Sequence, residues 1–161
     1  MNIRRAAEKD IAMLVDLFLE MDQHYDPGSS SQPEVFRRRI AAWFETNTDT
    51  ALFVAEEDGA LLGHASLAPL FPAAGGQTAL FIKDVFVSDK ARGRGIGEAL
   101  VRACAAEAKK RGAPRLELTV DMTNEGAMRL YKRLGARDTE KTYLRWDGAS
   151  LSDLAEGNDH G

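Results

Sequence analysis

Three glycines and two arginines crowd one short stretch, Arg92-Gly93-Arg94-Gly95-Ile96-Gly97, between an apolar run and a segment of helical pattern. Glycine costs about 1 kcal/mol against alanine inside a helix, so that density needs a reason. At a helix start the first backbone N–H groups have no intrahelical acceptor and carry the positive end of the dipole. Glycine removes the Cβ that would hold an anion away from them, and arginine adds charge-assisted hydrogen bonds of about 1.5–3 kcal/mol. The chemistry that fits is the cradling of a pyrophosphate; the alternative is a flexible glycine turn with solvated arginines. Two common phosphate motifs fail on spacing. A P-loop ends in Gly-Lys-Ser/Thr where this chain has Gly97-Glu98-Ala99, and G-x-G-x-x-G fails because Gly93 and Gly95 are followed by Glu98. A second chemical candidate is Asp84, which interrupts the apolar run "TALFIKDVFV" at a cost unless it has a polar role. It can be a base acting through water, an anion that binds substrate, or the partner of a neighbouring cation.

The elements that must position these residues alternate. Strands are expected over 2–6, 50–58, 60–71, 78–87, 115–121 and 142–147. Ile11, Leu14, Val15, Phe18 and Met21 recur at helical spacing over 8–25, and Phe36, Ile40, Trp43 and Phe44 over 34–47. Asp58-Gly59 marks a hairpin. The helix after the glycines carries Ile96, Leu100, Cys104 and Ala108 down one face and stops at Gly112. Another helix spans 124–135, with Asn124 as its N-cap. The order β-α-α-β-β-β-α-β-α-β describes one mixed α/β domain over 1–150, with residues 151–161 as a frayed tail.

The spacing Arg92-x-x-Gly95-x-Gly97 resembles the coenzyme A signature of the GCN5-related N-acetyltransferase (GNAT) superfamily. "TNEGAMRLYKRLGARD" resembles that superfamily's second motif, and the element order is similar over nearly the whole chain. Within the superfamily the chain looks most like the diamine and polyamine acetyltransferases. The resemblance implies the GNAT fold, a mixed and mostly antiparallel sheet flanked by helices and splayed at the coenzyme A site. It implies that the backbones of Val85 and Val87 pair with the pantetheine arm, and that the amides of Arg92, Gly93, Arg94, Gly95, Ile96 and Gly97 hold the pyrophosphate. Asn124 and Tyr131 would face the thioester end, with the Tyr131 hydroxyl serving the leaving thiolate; its other reading is a packed core aromatic. The polyamine-type enzymes usually have Glu-Asp where this chain has Lys83-Asp84, which places the usual base in question.

The implied reaction is transfer of acetyl from acetyl-CoA to a primary amine of a small molecule (diamine, polyamine or lysine-like) by direct attack in a ternary complex. Two other readings stand beside it: a non-catalytic acyl-CoA sensor on the same fold, and an acetyltransferase acting on a protein amine. The formal net charge of −4 argues against a nucleic-acid partner. No apolar run reaches the roughly 18 residues a membrane span requires, and the start "MNIRRAAEKD" lacks a signal peptide's apolar core. One cysteine, Cys104, fits a cytoplasmic setting and reads as core rather than nucleophile. His24, His64 and His160 have no metal-ligand spacing, so no metal is expected. His24 and Tyr25 either line an acceptor pocket or lie on a surface loop, and Asp22 and Asp26 lie near the same segment. Dimers are frequent in the resembled family, so a homodimer is expected.

Overall fold

The computed structural model describes residues 1–46 and 49–157, so His160 lies outside the described residues. The chain forms two compact units, Met1–Leu118 and Thr119–Gly161. The first contains β1 (Asn2–Arg5), α1 (Ile11–Tyr25), α2 (Pro33–Thr46), β2 (Ala51–Glu57), β3 (Ala60–Leu70), β4 (Ala79–Val87), α3 (Ile96–Lys110) and β5 (Leu116–Leu118). The second contains α4 (Glu125–Arg133) and α5 (Gly148–Glu156).

The sheet runs β1-β2-β3-β4-β5, antiparallel at the first three junctions and parallel at the last. Its middle strands are buried on both faces, which is why β2 reads as a nearly unbroken apolar run. Phe53, Ala55, Ala65, Leu67 and Ile82 meet Ile96, Leu100 and Cys104 of α3 on one face. Leu52 and Val54 meet Leu14 and Val15 of α1 and Ile40 of α2 on the other. Each such buried Leu, Ile or Val contributes about 1.5–3 kcal/mol. The hairpin between β2 and β3 turns at Asp58 and Gly59 with φ of 51° and 79°, as the Asp-Gly pair required. Gly112 stops α3 in the left-handed region at φ 68°, and the Ala113 N–H reaches the Ala108 carbonyl at 3.0 Å.

Three expectations fail near the C-terminal end. The strand expected over 115–121 is cut to Leu116–Leu118, with only three paired positions on β4. Residues 142–147 form no strand; Tyr143, Leu144 and Trp146 are all exposed, so alternation there buries no face. Residues 151–156, expected as part of a frayed tail, belong instead to α5. The Asp147 N–H donates to Ser150 Oγ at 3.1 Å to start it, and Gly157, at φ 79°, ends it.

Candidate active site

The site grows from two irregularities in and after β4. The first is a bulge. Ser66 pairs with Asp84 and Leu67 with Ile82, so Lys83 has no partner of its own on β3. The second is the end of pairing with β5 at Ile82, beyond which β5 supplies no partner for 83–87. The Ser88 N–H donates to the Leu62 carbonyl at 2.9 Å. Bonded and non-bonded pairs alternate in an antiparallel ladder, so Phe86 also points its backbone groups at β3 while Val85 and Val87 point theirs at the opposite edge. Gly63 permits this close pairing, since a Cβ there would lie 2.6 Å from the Phe86 carbonyl oxygen. An extended, amide-bearing ligand arm can therefore add to β4 at Val85 and Val87 as a strand would.

A 3-10 turn, Asp89–Ala91, leads from β4 into the glycine loop. The Asp89 N–H donates to Glu20 Oε1 of α1 at 2.8 Å, which fixes where the loop begins. Gly93 and Gly95 have φ of 76° and 77°, a region costing a side-chain-bearing residue about 1–2 kcal/mol. A Cβ at either glycine meets nothing within 4 Å, so the space in front of this backbone is open. Gly95 is the N-cap of α3 with no side-chain cap, and the helix's first bond runs from the Ala99 N–H to the Gly95 carbonyl at 3.1 Å. The amides of Ile96 and Gly97 precede any helical acceptor. Arg92 contacts Asp89 Oδ1 at 2.6 Å, donates from Nε to the Val87 carbonyl at 3.3 Å and lies 3.5 Å from His24 Nδ1. Arg94 contacts Glu57 Oε2 at 2.5 Å, and that bond holds the Glu57 carboxyl below its usual range. The two arginines are both ion-paired. Backbone edge, open glycine loop and uncapped helix start fit the pantetheine and pyrophosphate of coenzyme A.

On the α1 side of the sheet, β3 and β4 present side chains. His64 lies against Phe18 of α1, ring centroids 4.7 Å apart, and against Phe86 at 6.0 Å. Ser66 and Asp84 follow at two-residue spacing on the same face. His64 is 1% exposed, and burial brings its pKa down to about 4, so the ring is neutral near pH 7. Among the described residues, none hydrogen-bonds either ring nitrogen of His64 or the buried Ser66 Oγ. Asp84 is half-buried, its Oδ1 3.6 Å from Lys83 Nζ. Asp84, Val85, Val87 and 92–97 are thus gathered on one strand and the loop that follows it.

The remaining sequence candidates fall elsewhere. Asn124 caps α4, its Oδ1 accepting from the Ala127 N–H at 3.1 Å. Tyr131 lies in the same helix, half-buried; both belong to the second unit. Asp22 accepts from the Ser29 hydroxyl, and Asp26 accepts from the Gly28 N–H at 3.2 Å, so both organise the segment between α1 and α2. Burial, then Glu107, pushes the Cys104 thiol up to about 12, which suits a core residue. Sequence reasoning missed Glu20 and Ser66. Glu20 carried one signal, its four-residue spacing from His24 on α1; Ser66 carried none.

Comparison with known proteins agrees with this fold. The family described as "Acetyltransferase (GNAT) family" matches residues 14–136. The chain is 32% identical over 136 residues to the "Uncharacterized N-acetyltransferase YhfO" of Bacillus subtilis, covering 84% of this chain and 89% of that one. It is 34% identical over 80 residues to the "Thialysine N-epsilon-acetyltransferase" of Bos taurus, 47% of each chain. A solved integron cassette protein from the mobile metagenome of V. cholerae superposes with a TM-score of 0.83 at 29% identity, covering 96% of this chain and 97% of that one. With a family match across the sheet, the glycine loop and α4, the chain belongs to the GNAT family and is an acetyl-CoA-dependent N-acetyltransferase.

Proposed function

We propose that the enzyme transfers acetyl from acetyl-CoA to a primary amine of a small molecule, a diamine, polyamine or lysine-like compound, by direct attack in a ternary complex. The observation that carries this reading is the layout of β4. Val85 offers its backbone to the donor's edge, and the neighbouring residue, Asp84, offers a carboxylate to the α1 face. The 80-residue likeness to an enzyme named for thialysine supports a lysine-like acceptor.

An alkylammonium has a pKa of about 10.4, like lysine, and cannot attack while protonated. Asp84 draws the ammonium and takes its proton through water. The free amine nitrogen then forms a bond to the acetyl carbon while the carbon–sulfur bond breaks, and the nitrogen's second proton passes through water to restore the proton that Tyr131 gives up. The departing thiolate takes up a proton, for which the Tyr131 hydroxyl is the assigned donor by its place in the second motif. Coenzyme A would be held by Val85, Val87, the amides of 92–97 and Asn124. A cytoplasmic setting and a homodimer complete the proposal; a single cysteine supports the first, family resemblance the second.

The test is thiol release from acetyl-CoA across a panel of small amines. Release with diamines or lysine-like compounds is expected, and none with any amine would overturn the reading. Tyr131→Phe is expected to lower turnover about 10²-fold with acetyl-CoA affinity unchanged; wild-type turnover would return Tyr131 to a packing role.

A further inference from the structure

We infer that Lys83 and Asp84 together select a zwitterionic acceptor, an amine carrying a carboxylate or similar anion, over a di- or polyamine. The inference rests on the acetyl-transfer reading above and narrows its substrate. Successive residues of a regular strand point to opposite faces. The bulge breaks that rule at Lys83, and its ammonium stands 3.6 Å from Asp84 Oδ1. Both head groups reach solvent, with side-chain exposures of 64% and 32%. The strand therefore presents a positive and a negative pole side by side.

A diamine meets this pair badly. Lys83 competes with its ammonium groups for the one carboxylate and repels both. The floor beside the pair adds no compensating negative charge, because Ser66 and His64 are neutral. Asp22 and Asp26 keep their charge but direct it to the segment between α1 and α2, where they accept from Ser29 and the Gly28 amide. A zwitterion meets it well: its carboxylate takes Lys83, its ammonium takes Asp84, and one internal ion pair is exchanged for two intermolecular ones.

The test compares kcat/KM for lysine against 1,5-diaminopentane and for ornithine against 1,4-diaminobutane, pairs that differ only in the carboxylate. The wild type is expected to prefer the amino acid about fivefold, the range of a solvent-exposed charge pair. Lys83→Gln should abolish the preference and Lys83→Glu reverse it, with coenzyme A affinity measured in each variant as the check on folding. Thiol release with diamines at ratios indifferent to Lys83, or a wild-type preference for the diamines, overturns this inference and leaves the transfer reading standing. Release with no amine at all overturns both.

Discussion

Along the free edge of β4 and at the start of α3, the groups proposed to meet coenzyme A are backbone: Val85, Val87 and the amides behind Gly93 and Gly95. At the bulge of the same strand they are side chains, Asp84 and Lys83, with the buried His64 and Ser66 packed beneath across the ladder. The backbone region holds its shape through φ angles that only glycine adopts cheaply and through one carboxylate, Glu20, anchoring its first turn. The side-chain region holds its shape through a bulge and aromatic packing on His64. In the proposed reaction the common donor is thus recognised by features that cannot drift without breaking the chain's path, and the acceptor by residues that single substitutions can exchange.

Substitutions can separate the two regions. The largest effect is expected at Gly95→Glu, which adds an unfavourable φ and a negative charge at the cradle: calorimetry should detect no coenzyme A binding in a folded protein. Gly95→Ala, with the φ cost alone, should weaken binding only about fivefold to thirtyfold. Unchanged affinity in the glutamate variant would remove the cradle from the site. Acid should strike the other region. The folded state holds His64 to about 4, while the unfolded chain takes up a proton near 6.5. The contribution of neutral His64 is therefore complete above pH 6.5 and falls as pH drops to 4, by about 3 kcal/mol in total. Denaturation midpoints across that window should show the slope in the wild type and its loss in His64→Phe; a flat wild-type profile refutes it. Asp84→Asn is expected to cut kcat/KM for the acceptor about 10²-fold while leaving coenzyme A affinity within twofold. Equal losses in both constants would mean the two regions are not separable.

The same contrast explains what the sequence revealed. Gly93, Gly95 and Gly97 announce the cradle because left-handed backbone and an uncapped helix start leave a mark in residue type. The alternation and apolar runs of β2, β3 and β4, the Asp-Gly hairpin and the Gly112 stop were legible for the same reason. The bulge at Lys83 was not, since it depends on register between strands and no residue type demands it. His64 could be seen only as lacking metal-ligand spacing, because its burial between Phe18 and Phe86 comes from contacts 46 and 22 residues away. The strand expected over 142–147 failed because alternation describes a strand only where a partner exists.

The ion pairs of Arg92 with Asp89 and of Arg94 with Glu57 give the cradle a resident counterion for each guanidinium. An arriving pyrophosphate therefore performs an exchange, one anion for another, and each displaced carboxylate regains its hydration. The net electrostatic gain is the difference between two similar pairings, smaller than a bare arginine would give. A lone carboxylate in solution offers nothing the loop does not already hold. A diphosphate would succeed by engaging both arginines and the amides of Ile96 and Gly97 at once, so Asp89 and Glu57 would act as a filter on the valence of what the loop admits.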